Sequence, residues 1–212
     1  MRRLNVVVFI GPSLDLATAG SILPDAVFLP PVKRGAAAAT ENADVMVIID
    51  GVFFQNEAVG HRELLGVMKS GVKVYGSSSM GALRASELDT LGMIGVGKIY
   101  HQYKSGEIIA DDEVGLVYDT ETGMALSEPM VNMRASFSKA LEKSVITKEE
   151  EASLLKACKA IYYPDRTYRR VIRDADIAAD TKERLLSWIK DNAVDQKRLD
   201  AIECLNVVRA LL

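Results

Sequence analysis

Aromatic residues make up only 6% of this 212-residue chain, which has two cysteines, two histidines and one tryptophan. Each shortage excludes a class of protein. Cys158 and Cys204 stand far apart without metal-ligand spacing, so no disulfide framework is expected. With His61 and His101 the only histidines, a zinc site is not expected either. No apolar run approaches the roughly 20 residues that cross a bilayer. The longest near the start, Val6 to Ile10, has the length of a strand. Arg2 and Arg3 precede neither a long apolar stretch nor a small-residue cleavage site, which speaks against a secretory signal. A formal net charge of −3 argues against a dedicated nucleic-acid binder. The expectation is a cytoplasmic protein with no membrane span, no nucleic-acid partner, no metal and no cofactor.

Apolar residues at 49% and charged residues at 26% instead predict a packed core. The first half alternates strand and helix signals. Leu4 to Ile10, Ala26 to Leu29, Val45 to Ile49 and Val72 to Tyr75 read as strands, separated by short helices near Leu14, Gly35 to Asn42 and Ala58 to Lys69. This order predicts an α/β fold, a parallel Rossmann- or flavodoxin-like sheet in the N-terminal half. Val114 to Tyr118 is a candidate further strand, after which helices dominate. Pro129 sits in the first turn of one, Thr147 and Glu150 form a capping box for another, and Asp180 with Glu183 opens a third. The expected division is residues 1–119, an α/β core, and residues 120–212, a helical C-terminal layer.

The most telling segment runs from Val74 to Ala85, where a β-branched strand meets Ser77, Ser78 and Ser79 and then a helix-forming run from Met80. The first amides of such a helix lack intrahelical partners and favour an anion or a developing oxyanion. Ser77 and Ser78 are the competing candidates to cap the helix. Gly11-Pro12-Ser13 and Asp50-Gly51 also follow strands, and parallel strands bring such ends to one edge. Asp50 suits orienting a base, binding a cation or simply making a turn, and His61 is of the residue type that serves as a general base near neutral pH or serves structure alone. Gly92 to Lys98 has the spacing of a phosphate loop, but Ile99 stands where a hydroxyl should hold magnesium. It reads as a flexible connection between helices. Asp111-Asp112-Glu113 reads as a solvated acidic turn, and Arg166 to Arg173 as an exposed helix of mixed charge.

Phe9 to Ser13, Pro30-Pro31 with Arg34-Gly35, Ile49 to Phe53, His61-Arg62-Glu63-Leu64, Gly76 to Arg84, Gly92 to Gly97 and Asp111 to Val114 together resemble the core of the TfuA family. Ser127-Glu128, Val131 to Arg134 and Asp195 to Arg198 extend the similarity into the helical half. Two positions depart from the family pattern: Ala36 replaces an aspartate, and Arg62 a lysine. TfuA proteins act beside YcaO enzymes, and the resemblance implies a role in peptide backbone thioamidation. It implies release of sulfide from a thiocarboxylated ubiquitin-like sulfur carrier, with YcaO and that carrier as partners and homo-oligomerisation left open. Ser79, His61 and Asp50 are then the candidate catalytic residues. Gly11, Pro12, Ser13, Arg34, Ser78, Met80, Gly81 and Arg84 are the candidate substrate-binding set. The alternatives are a non-catalytic adaptor or activator that binds YcaO or its peptide substrate, and an anion- or nucleotide-binding module.

Overall fold

Strands covered by helices on both faces must be apolar at every position, and β1 (Val6–Phe9) and β3 (Val45–Ile48) are buried throughout. In the computed structural model they pair in parallel. With β2 (Val27–Leu29), β4 (Lys73–Ser77) and β5 (Ile94–Val96) they form an all-parallel sheet in the order β2-β1-β3-β4-β5. The structure describes residues 4–36, 40, 42–53, 57–119, 122 and 124–212. They fall into two compact units, one of residues 1–111 with 197–212 and one of residues 112–196.

Side chains alternate across the pleat and so divide the first unit's core in two. Val6, Val8, Val45 and Val47 face one side, against Ala19 and Ile22 of α1 (Leu16–Ile22) and Ala201, Cys204, Leu205 and Val208 of α9 (Gln196–Arg209). Val7, Phe9, Met46, Ile48 and Val74 face the other side. There they meet Leu64 and Val67 of α2 (His61–Lys69) and Met80, Ala85 and Leu88 of α3 (Met80–Leu88). The last helix of the chain thus supplies a wall of the first unit. The strand order is that of flavodoxin-like sheets, with the reversal between β1 and β3, where such folds bind ligands at the C-terminal strand ends.

Two expectations about the sheet and its neighbourhood fail. Val114 to Tyr118 forms no strand and contributes only an isolated antiparallel bridge from Tyr118 to Ala125. Gly92 to Lys98 is no flexible link: it contains the edge strand β5, between left-handed Gly92 and Gly97. Three apolar residues between glycines carry too short a signal to read as a strand; pairing with β4 creates it. The predicted helix at Gly35 to Asn42 lies partly outside the described residues.

The second unit packs α5 (Met130–Glu142), α6 (Lys148–Ala160), α7 (Tyr168–Asp174) and α8 (Ala179–Asn192) around Met133, Phe137, Leu154, Val171, Leu185 and Ile189. The capping box forms as expected, Thr147 Oγ1 accepting from the Glu150 amide and Glu150 accepting from the Thr147 amide. The acidic turn is solvated only at Asp111, which is exposed. Glu113 is buried and bidentate with Arg134, while Asp112 pairs with Lys159 and with Arg166, whose side chain is wholly buried. Arg166 therefore belongs to the interior of this unit, not to an exposed basic face. Among the described residues, no helix is long and apolar enough to cross a membrane.

Candidate functional site

Three polar turns meet at the C-terminal ends of β1, β3 and β4. Asp50, buried after β3, accepts the amides of Gly11 and Ser13 on Oδ2 at 2.9 and 3.1 Å and the Ser13 hydroxyl on Oδ1 at 2.6 Å. These bonds fold the Gly11–Ser13 turn over the point where the strand order reverses. Lys197 Nζ, itself buried, lies 3.8 Å from Asp50 Oδ1. A buried charge pair is tolerated when hydrogen bonds satisfy its remaining lone pairs, and the turn supplies them.

The β4–α3 turn is built on close backbone approach. A Cβ on Gly81 would stand 1.8 Å from the Ile48 carbonyl oxygen, and one on Gly76 would stand 2.2 Å from the Gly81 carbonyl oxygen. Only glycines let the helix begin this close to the sheet. The three serines then take different tasks. Ser77 Oγ donates to the Asp200 carbonyl at 3.0 Å. Ser78 adopts φ +66°, and the Ser79 amide bonds back to the Ser77 carbonyl at 2.8 Å, a γ-turn in its rare and strained form. Ser79 occupies the N-cap of α3, but its side chain makes no capping bond. Its amide also reaches the Ile49 carbonyl at 3.2 Å.

Two groups at this turn lack partners. The Ser78 hydroxyl is buried with no hydrogen bond, a state that costs about 1–3 kcal/mol. The Met80 amide, first of the helix, has no acceptor among the described residues. A positive φ on a non-glycine residue adds strain on the order of 1–3 kcal/mol. Both costs fall on one serine, at the place where the strand delivers its end to a helix N-terminus.

Along α3 runs an open depression of about 350 Å³, lined by Phe53, Ala58, Met80, Leu83, Arg84 and Glu87 with Ile109 to Asp111. His61 opens α2 and sets its Nε2 2.7 Å from Glu87 Oε2, with half of its side chain exposed. Arg84 joins the same carboxylate at 2.8 Å and donates from Nε to the Val59 carbonyl at 3.1 Å. Glu87 lies seven residues beyond Met80, about 10 Å of helix rise. The His61–Glu87–Arg84 group thus stands at one end of the depression and Met80 at the other. Arg34 is exposed, its amide held by the Glu57 carbonyl at 2.7 Å.

Sequence reasoning missed two charged residues of α9. Lys197 neutralises Asp50. Asp200 places its carboxylate at the start of α4 (Lys98–Ser105), accepting the Ile99 amide at 2.7 Å beside Gly97. That carboxylate explains the phosphate-loop spacing of Gly92 to Lys98, since the helix N-terminus is filled by the protein's own anion. The signal was present: Lys197 and Asp200 continue the apolar stripe of Ala201, Cys204 and Val208 at helical spacing, so they face inward.

A family model for TfuA-like proteins matches residues 50–167, more than half of the chain. The chain belongs to the TfuA family. The match includes Asp50, His61 and the whole β4–α3 turn, whereas Lys197 and Asp200 lie beyond it. Searching individual curated proteins finds no match. Membership in the TfuA family gives a role beside YcaO in thioamide or trifolitoxin-type pathways. Neither cysteine suits a sulfur relay within this TfuA protein. Burial pushes the Cys158 thiol up to about 11 and raises that of Cys204 further, so both stay protonated near neutral pH.

Proposed function

We propose that this TfuA protein supplies sulfide to its YcaO partner by hydrolysing a thiocarboxylated ubiquitin-like sulfur carrier at the β4–α3 turn. Thiocarboxylate hydrolysis is acyl transfer and calls for a hydroxyl or water nucleophile and donors aimed at a developing oxyanion. The observation that carries the proposal is the pairing of the unpartnered Ser78 hydroxyl with the unpartnered Met80 amide, beside Ser79, at a helix N-terminus. Gly81 lets these amides approach the sheet edge, and Asp50 holds Gly11, Pro12 and Ser13 beside them. The depression along α3 receives the carrier's tail, with Arg84, which lines it, as a candidate contact; Arg34 lies outside that lining. Glu87 holds His61 Nε2 at the other end of the depression from Met80, so this imidazole lies beside the carrier's path and not within reach of the serines as their base.

The near-complete burial of all three serines favours a second reading, in which the protein is an adaptor and the turn a purely structural feature. On the helical unit, Tyr162 is exposed and stacks edge-on against Tyr163, which suits contact with a partner. Tyr168 packs into the helical core and bonds Ser136. Free sulfide measured after mixing the protein with thiocarboxylated carrier separates the readings. A hydrolase releases sulfide without YcaO, and an adaptor releases none. Arginine at Tyr162 that abolishes YcaO co-purification would support contact through the helical unit.

A further inference from the structure

We infer that Ser78, rather than Ser79, is the nucleophile; the inference rests on the hydrolase proposal and names the atom that performs it. The turn reads Gly76-Ser77-Ser78-Ser79-Met80-Gly81, with Ser78 two residues after a glycine of the strand end. Hydrolases with a nucleophile elbow place their serine so, on a sharp strained strand-to-helix turn with a following amide for the oxyanion. Here the second close-packing glycine comes three residues after the serine instead of two, and both glycines serve the same end, letting strand and helix touch. Ser78 bears the positive φ, and its hydroxyl is the one at the turn that is buried without a partner. Ser77 is excluded because its hydroxyl is bonded to the Asp200 carbonyl. The turn departs from that elbow in its oxyanion donor: the Ser79 amide is spent on the Ser77 and Ile49 carbonyls, so the first unengaged amide is that of Met80, two residues after Ser78 instead of one. Strain of this kind persists where the surrounding structure over-determines it, and it concentrates at functional sites.

The chemistry balances without an external acid or oxidant. The Ser78 oxygen bonds to the thiocarboxylate carbon while the carbon–sulfur bond breaks, and the hydroxyl proton leaves with sulfur as hydrosulfide. Water then cleaves the ester, restoring the hydroxyl and giving the carrier a carboxylate and one proton. The Met80 amide stabilises the oxyanion in both steps. Ser78 is wholly buried and does not itself line the depression, so the assignment requires the carrier's tail to open the turn as it binds, and the test uses the full chain with an intact thiocarboxylated carrier.

Ser78→Gly is the variant of choice, because glycine adopts φ +66° without strain and the fold is kept. It should release sulfide at least about a hundredfold more slowly than wild type, whereas Ser79→Ala should stay within about tenfold. Single-turnover mixtures quenched in acid should contain a carrier ester that fragmentation maps to Ser78. Wild-type rates in Ser78→Gly, an equal loss in Ser79→Ala, or a wild-type reaction that passes through no ester would each overturn the assignment. Wild-type protein that releases no sulfide would instead defeat the hydrolase proposal and this inference with it.

Discussion

Substituting Gly81 with alanine probes the fold and the site at once. The added Cβ would lie 1.8 Å from the Ile48 carbonyl oxygen and 2.7 Å from its carbon, where ordinary contact begins at 3.4 Å. Both obstacles are backbone, so no side chain can yield, and the start of α3 must retreat by about 1.6 Å. Retreat weakens the bonds from the Ser79 and Gly81 amides to the Ile49 carbonyl, now 3.2 and 3.4 Å long. Overpacking costs about 1–3 kcal/mol, and the loosened hydrogen bonds about 1 kcal/mol more. The expected loss of stability is therefore about 2–4 kcal/mol, within the margin of a stable domain. A displacement above 1 Å at reacting groups should also slow sulfide release about a hundredfold in molecules that remain folded. Gly66→Ala is the control: nothing lies within 4 Å of its Cβ, and an exposed helical glycine replaced by alanine should gain about 0.5–1 kcal/mol. Urea unfolding read by circular dichroism gives the stabilities, and trapping of free sulfide gives the rates. A Gly81→Ala protein as stable and as active as wild type would refute the close-approach argument.

Asp50→Asn removes the charge that faces buried Lys197 and weakens the acceptor of the Gly11–Ser13 turn, so urea titration should show a loss of about 3–5 kcal/mol. For Asp112, burial opposes the charged form, but Lys159 and Arg166 beside it prevail and hold the carboxyl below its usual range. A lowered folded-state pKa contributes stability that is present above the unfolded value of about 3.9 and is lost as pH falls through the folded one. Acid titration of Asp112→Asn should accordingly show a shallower stability loss below about pH 4 than wild type does. Cys158 and Cys204 should resist iodoacetamide in the native protein at neutral pH and react once it is unfolded, and alanine at both should leave sulfide release within a few-fold of wild type. Rapid native labelling, or loss of release in a folded double variant, would reinstate a cysteine relay.

The parallel sheet could be read from local pattern because β1 and β3 carry continuous apolar runs between turn residues, and Val72 to Tyr75 marks β4 with a short β-branched one. The edge strand β5 could not, since its three residues become a strand only through pairing. The convergence of Gly11–Ser13, Asp50 and Ser77–Ser79 followed from the rule that parallel strands end on the same side. What the pattern could not supply was the division of labour among three adjacent serines. That depends on a helix 123 residues away, whose Asp200 carbonyl engages Ser77, and on a backbone angle at Ser78 that serine adopts only under constraint. His61 was legible as a titratable group, but its partner Glu87 lies on α3, and only the packing of α2 beside α3 reveals it. The acidic turn misled for a similar reason: Asp112 and Glu113 look solvated in sequence because Arg134, Lys159 and Arg166 arrive from later helices.

The decisive experiment is the intact mass of a thiocarboxylated carrier incubated with this TfuA protein alone in oxygen-18 water. Hydrolysis predicts that the carrier loses its sulfur with time and gains one labelled oxygen, while free sulfide appears in equal amount. A carrier that keeps its thiocarboxylate until YcaO and ATP are added would contradict the hydrolase and leave an adaptor in its place.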